Sequence, residues 1–122
     1  IAQRAAIAAL KAPKSEIQYM IDEFKKRRDL VLALLSEVEG LKVNVPEGAF
    51  YVFPDVSSFF GKTLRGRTIR NASDFSLYLL EEAMVATVTG EAFGDANCIR
   101  ISYAASEKEL REAIRRIKES LA

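Results

Sequence analysis

Cys98-Ile99-Arg100-Ile101-Ser102-Tyr103 is the stretch whose reading decides the fold. At the period of two that a β-strand imposes, Ile99, Ile101 and Tyr103 share one face and Cys98, Arg100 and Ser102 the other. The first face is a continuous apolar strip that needs a covering layer. The second sends a guanidinium out from mid-strand between two small side chains. A strand of this kind belongs to a sheet with one face buried and one open.

The segments on either side supply the cover. Downstream, Ser106 and Glu109 have the spacing of a capping box and open a helix with Leu110, Ala113, Ile114, Ile117 and Leu121 on one side. Upstream, Val85–Val88 reads as a short strand, and the loop 89–97 carries Gly90 and Gly94. Before it, Ser73 is placed to cap a helix with Phe75, Tyr78 and Leu79 on its apolar face, ending near Ala83. Residues 57–71, rich in hydroxyls and cations, read as a long surface loop. Ala49–Phe53, ended by Pro54, and the alternating Leu41–Val45 read as two more strands around a Pro46-Glu47-Gly48 turn.

The chain begins with two helices. Ser15 and Gln18 have capping-box spacing, and Ile17, Met20, Ile21, Phe24, Val31, Leu34, Leu35 and Val38 form one stripe of a helix over 15–39, stopped by Gly40. Glu23 with Arg27 and Asp22 with Lys26 are i,i+4 pairs on its wet side. The alanine-rich segment 1–11 is a separate helix, closed by Pro13. Residue 1 is Ile and stands already inside helical sequence, which leads us to expect that these residues continue a longer polypeptide. The expected architecture is an α+β two-layer sandwich, with helices packed on a small mixed sheet of about four strands.

Composition narrows the chemistry. A chain of 122 residues suits one domain. Eighteen basic against seventeen acidic residues leave a net charge of +1, so no strong field draws the chain to nucleic acid or lipid. The longest apolar run, residues 30–35, is far below the roughly 20 residues of a membrane-spanning helix. With no histidine, the common zinc sites and every Ser-His-Asp triad are excluded. The single cysteine, Cys98, fits a reducing compartment, and with no imidazole to activate it the thiol reads as structural.

Few other residues suggest a site. Lys62, Arg65, Arg67 and Arg70 follow Phe59 and Phe60, a pattern open to a phosphate or RNA surface. Asp55, Asp74, Glu81 and Glu82 flank that loop, however, and no aromatic-rich strand motif of the RNA-recognition type is present, so it reads as a solvated loop. Gly90 and Gly94 lack the phosphate-loop spacing, and Glu81-Glu82 reads as surface charge. Arg100 has two readings from pattern alone. It is a solvent-face arginine paired with a neighbouring acid, or a fork free to take a carboxylate in bidentate fashion.

Pro46-Glu47-Gly48-Ala49-Phe50-Tyr51-Val52-Phe53-Pro54 resembles the small-domain segment of the class I aminotransferases, fold-type I pyridoxal-phosphate enzymes. Leu79-Leu80-Glu81-Glu82-Ala83, Val88-Thr89-Gly90-Glu91-Ala92-Phe93-Gly94 and Ile99-Arg100-Ile101-Ser102-Tyr103-Ala104 follow in that family's order and spacing, and Arg27-Arg28-Asp29 is also similar to it. Within the family the chain looks most like the bacterial aspartate aminotransferases.

The resemblance implies amino-group exchange between an amino acid and a 2-oxo acid. It makes Arg100 the group that binds the substrate α-carboxylate, and places Phe50 on the wall of the substrate cleft or in core or interdomain packing. None of the eight lysines lies in the Ser-x-x-Lys context that holds the cofactor, and the pyridine-partnering aspartate and the phosphate grip have no matching segment. No catalytic, cofactor-binding or metal-binding residue is therefore expected here. The resemblance assigns 1–122 to the C-terminal small domain, with 1–12 in the helix leading from an absent N-terminal large domain. It further implies pyridoxal phosphate in the full-length enzyme but not on this chain, a homodimer, a cytoplasmic location, and no nucleic-acid or membrane partner. Other transaminases such as the aromatic aminotransferases, aminocyclopropane-carboxylate synthases, β-lyases and the ligand-sensing domains of some transcription regulators share the pattern. Outside the family, a stand-alone binding module is the alternative. Three structural expectations follow: Ile99–Tyr103 is a strand, apolar surface is exposed near Ile1–Leu10 and Phe93, and Arg100 lies on an open face without an acid partner.

Overall fold

Strand β5 (Ile99–Ser102) is the middle of a three-stranded sheet, between β1 (Tyr51–Val52) and β4 (Val88–Thr89), in a computed structural model that describes all 122 residues. Both pairings are antiparallel, with Tyr51 opposite Ser102, Val52 opposite Ile101, Val88 opposite Arg100 and Thr89 opposite Ile99. The expected sheet was mixed; the observed one is antiparallel throughout, because each neighbour of β5 runs against it. A separate hairpin, β2 (Thr63–Leu64) and β3 (Arg67–Thr68), stands apart from this sheet.

The alternation holds within β5, although Cys98, expected on the open face beside Arg100, precedes the strand and is buried. Ile99, Ile101 and Tyr103 are buried, Arg100 is half-buried and Ser102 is exposed. Their apolar face joins one core with Val31 and Leu35 of α2 (Gln18–Ser36), Tyr78 and Leu79 of α3 (Ala72–Glu82), and Leu110 and Ile114 of α4 (Glu107–Leu121). Helix α1 (Ala2–Lys11) buries nothing, and Ile1, Ile7 and Leu10 lie in solvent as expected.

Helix α4 starts as its sequence requires. The Ser106 hydroxyl oxygen accepts from the Glu109 N–H while the Glu109 carboxylate accepts from the Ser106 N–H, a complete capping box. Its buried tyrosine partner, Tyr78, donates its hydroxyl to the Ser120 carbonyl, tying α3 to the end of α4.

Several local expectations are corrected. Ser15 does not cap α2: residues 14–16 form a single 3-10 turn, and the helix begins at Gln18 with no side-chain cap. Its last turn closes at Ser36, and Gly40 follows at a left-handed φ of +93°. Lys26 pairs with Glu107 at 2.7 Å rather than with Asp22, which instead accepts from Gln18. The Glu23–Arg27 pair is present at 3.7 Å.

Leu41–Val45 is not a strand. It makes one isolated bridge, Lys42 to Asp55, and Val45 is 69% exposed. The strand in 49–53 shrinks to two residues, since Ala49 takes a left-handed φ of +65° and Pro54 has no N–H to donate. The segment 57–71 is more than surface loop: it holds a 3-10 turn, the hairpin, and buried Phe59 and Ile69. Asn71, not Ser73, caps α3 by accepting from the Asp74 N–H at 2.8 Å.

Ile114, 3% exposed in the α4 stripe, tests this core: Ile114→Ala should destabilise the full-length protein by about 2–5 kcal/mol, read from chemical denaturation. The α4 surface predicts a pH response. Hydrogen bonds from Arg115, and then Arg116, hold the Glu112 carboxyl down at about 2. A depressed acid stabilises the fold fully above its unfolded range, near 4.5, and loses that contribution as pH falls from there toward about 2. Over that window wild type should therefore lose slightly more helix content than Glu112→Gln, a small difference as befits an exposed pair, measured by circular dichroism.

Candidate functional site

The open face of β5 carries the candidate site. Register puts Arg100 opposite Val88 of β4, and places Tyr51 and Phe53 of the β1 segment on the same face. The Arg100 guanidinium carbon lies 4.4 Å from the Phe93 ring centroid and 5.5 Å from that of Tyr51. Phe93 meets Phe53 edge to face at 6.4 Å. Arg100 is thus framed by aromatic rings and makes no hydrogen bond to any side chain or carbonyl.

This isolation is unusual within the chain. Eight of the ten arginines are ion-paired, and only Arg4, on exposed α1, and Arg100 are not. Of the two readings open to Arg100 from sequence, a surface ion pair is the one the geometry removes. What remains is a planar fork with its N–H edges free beside an apolar wall.

A tight turn fixes that wall. After β4, residues 90–93 form a 3-10 turn, closed by Gly94 at a left-handed φ of +92°. The Gly90 N–H donates to the Cys98 carbonyl at 2.7 Å, and the Asp95 N–H donates to the Gly90 carbonyl at 3.2 Å. A Cβ at position 90 would stand 2.3 Å from the Asp95 carbonyl oxygen and 2.5 Å from that of Cys98, so only glycine lets the two backbones approach this closely. Phe93 is consequently carried by a turn fastened to the start of the strand that bears Arg100.

Phe50, the other expected site residue, is 49% exposed. Its backbone is pinned, with its carbonyl accepting from the Tyr103 N–H at 2.8 Å, while its ring meets Tyr51 edge to face at 5.8 Å. Tyr51 therefore stands between Phe50 and Arg100 as a shared neighbour.

The other candidates resolve into structure. Cys98 is buried, and burial, reinforced by Asp95, pushes its thiol up to about 11, so thiolate is scarce at neutral pH. In the basic loop, Arg65 pairs with Glu82, Arg67 with Glu81 and Arg70 with Asp74, while Lys62 sits 5.3 Å over the Phe59 ring. Two residues that sequence reading did not assign to the site, Tyr51 and Phe93, turn out to frame it. For Tyr51 the signal was its alternation with Phe53. For Phe93 it was an aromatic between two turn glycines.

Comparison with known proteins gives this geometry a context. A family model described as aminotransferase class I and II matches residues 1–117. The chain is 48% identical to an aspartate aminotransferase of Rhizobium meliloti (strain 1021), over 96% of this chain and 29% of that protein. It is 46% identical to a bifunctional aspartate aminotransferase and glutamate/aspartate-prephenate aminotransferase of Petunia hybrida, over 99% of this chain and 26% of that protein. The crystal structure of the aspartate aminotransferase from Rhizobium meliloti superposes with a TM-score of 0.90 at 44% identity, covering 98% of this chain and 30% of that one. The chain thus spans under a third of the length of these relatives.

Gly90→Ala probes the turn directly. The added methyl should destabilise the full-length protein by at least about 1–3 kcal/mol and move Phe93 off the guanidinium, seen as a lowered melting temperature and a displaced ring in a crystal structure.

Proposed function

The chain belongs to the aminotransferase class I and II family, and we propose on that basis that it is the C-terminal small domain of a pyridoxal-phosphate-dependent aspartate aminotransferase. The reaction is L-aspartate with 2-oxoglutarate to oxaloacetate and L-glutamate. Residues 1–122 form the small domain, and 1–12 lead into it from an N-terminal large domain. The enzyme works in the cytoplasm as a homodimer.

One observation carries the reading: Arg100 is a half-buried arginine on an open sheet face with no acid to neutralise it. A planar, permanently charged fork fixed on a strand binds a carboxylate through two parallel charge-assisted hydrogen bonds. Holding the α-carboxylate in this way turns the substrate's α-carbon toward the reacting group and removes much of the entropic cost of alignment. The exposed Phe50 ring, one neighbour beyond Tyr51, walls the cleft and limits water around that contact.

The residues present do not by themselves form a cofactor site. β1, β4, β5 and the turn 90–93 contribute no lysine amine, and none of them presents the cluster of amides and hydroxyls that grips a phosphate. Pyridoxal phosphate, which supplies the electron sink for amino-group exchange, is accordingly held by the large domain.

Full-length protein should turn over L-aspartate with 2-oxoglutarate, and prephenate is assayed beside it as acceptor because the Petunia relative's name includes it. Arg100→Lys keeps the charge but loses the fork, and should lower kcat/KM by roughly 10- to 100-fold, as loss of a charge-assisted bidentate contact implies. Arg100→Ala should lower it further, with cofactor absorbance unchanged in both. Normal kinetics in Arg100→Lys would remove the assignment of Arg100, and a full-length protein with no aminotransferase activity would remove the enzyme reading.

A further inference from the structure

We propose that Phe93 is a positioning residue that orders the Arg100 guanidinium for its carboxylate; the inference rests on the reading of Arg100 given above. An arginine side chain is long, and an unpaired one ordinarily samples many rotamers, which are lost when it is ordered. Proteins usually order such a group with a neighbouring acid. Here no carboxylate reaches Arg100, and the closest ordering contact is the Phe93 ring at 4.4 Å, inside the range of a cation–π interaction.

The choice of an aromatic has a chemical consequence. A carboxylate would occupy the N–H edges and compete with the substrate for them. A ring instead attracts the charge through the guanidinium face and leaves the in-plane donors free. It also strips water from that face, which strengthens the contact an arriving carboxylate makes.

Phe93 is fastened well enough for this role. Phe53 buttresses its ring from the β1 side, and the Gly90–Cys98 hydrogen bond ties its turn to β5. Yet Phe93 remains 47% exposed, so burial in this domain's core is not what keeps it there. Tyr51, at 5.5 Å, gives weaker support.

The test uses steady-state kinetics of the full-length holoenzyme with L-aspartate, comparing wild type, Phe93→Leu, Phe93→Tyr and Arg100→Lys. Phe93→Leu should raise KM about three- to tenfold, the range a partly desolvated cation–π contact spans, while kcat changes less. Phe93→Tyr keeps the ring face and should return KM to within about twofold of wild type. Phe93→Leu in an Arg100→Lys background should add less than it does alone. A merely structural role would lower the active fraction, so kcat would fall with KM unchanged, and that result overturns the inference. So does a Phe93→Tyr variant as impaired as Phe93→Leu. A raised KM in Arg100→Lys with a normal KM in Phe93→Leu overturns the role of Phe93 alone. Normal KM in Arg100→Lys, or a wild-type protein inactive on L-aspartate, overturns the functional reading and this inference with it.

Discussion

Everything in the fold refers to the two-sided strand β5. Four residues must at once seal a core and present a site, and the pleat makes that possible because adjacent side chains leave on opposite sides. Ile99, Ile101 and Tyr103 are buried against the helices, so the register of β5 cannot slip by one residue without driving Arg100 into the core. The cost of burying an unpaired guanidinium there is several kcal/mol, larger than any gain from alternative pairing. Core packing and site geometry are thus fixed by the same constraint, and a change that loosens the α2–α4 layer reaches the outer face through the strand.

The distribution of charge follows a matching logic. On α4, cations sit beside acids one helical turn away, and in the basic loop Arg65 and Arg67 pair with Glu82 and Glu81 at the end of α3. Such exposed pairs contribute little to stability. Arg100, by contrast, is the one arginine of the sheet face and has no acid partner, on a chain whose net charge is +1.

The legibility of the sequence varied with the physics behind each pattern. Capping of α4 was readable because Ser106 and Glu109 satisfy each other's backbone within one turn and need nothing from elsewhere. The Ile99–Tyr103 strand was readable because its apolar side chains have a core to fill. Leu41–Val45 shows the same alternation yet forms one bridge, since a period of two says which side chains share a face and not whether a neighbouring strand arrives. The hairpin in 57–71 was hidden for another reason. Its turn residues, Arg65 and Gly66, both take positive φ, as a type I′ turn demands, but arginine is not the Asn or Asp that announces one. Phe59 and Ile69 were lost in the polar texture around them, although both are buried. The place of Arg100 on the open face was legible from alternation, whereas its aromatic frame joins β1, β5 and a turn, and depends on a close backbone approach at Gly90 that spacing does not reveal.

In the proposed role of Arg100, the lack of an acid beside it suits the face to binding a carboxylate. A guanidinium already paired inside the domain would have to exchange one carboxylate for another, with little net gain. Left in open water, it would have to shed a full hydration shell before making the same contact. Arg100 occupies the position between these limits. It is half-buried, with the Phe93 and Tyr51 rings close to its guanidinium carbon, and the guanidinium makes no hydrogen bond within the domain. Part of the desolvation has therefore been met during folding, when burial of Ile99, Ile101 and Tyr103 fixed the strand. A carboxylate docking there meets a donor pair that is oriented, partly dry and without a rival, the arrangement in which charge-assisted hydrogen bonds are strongest.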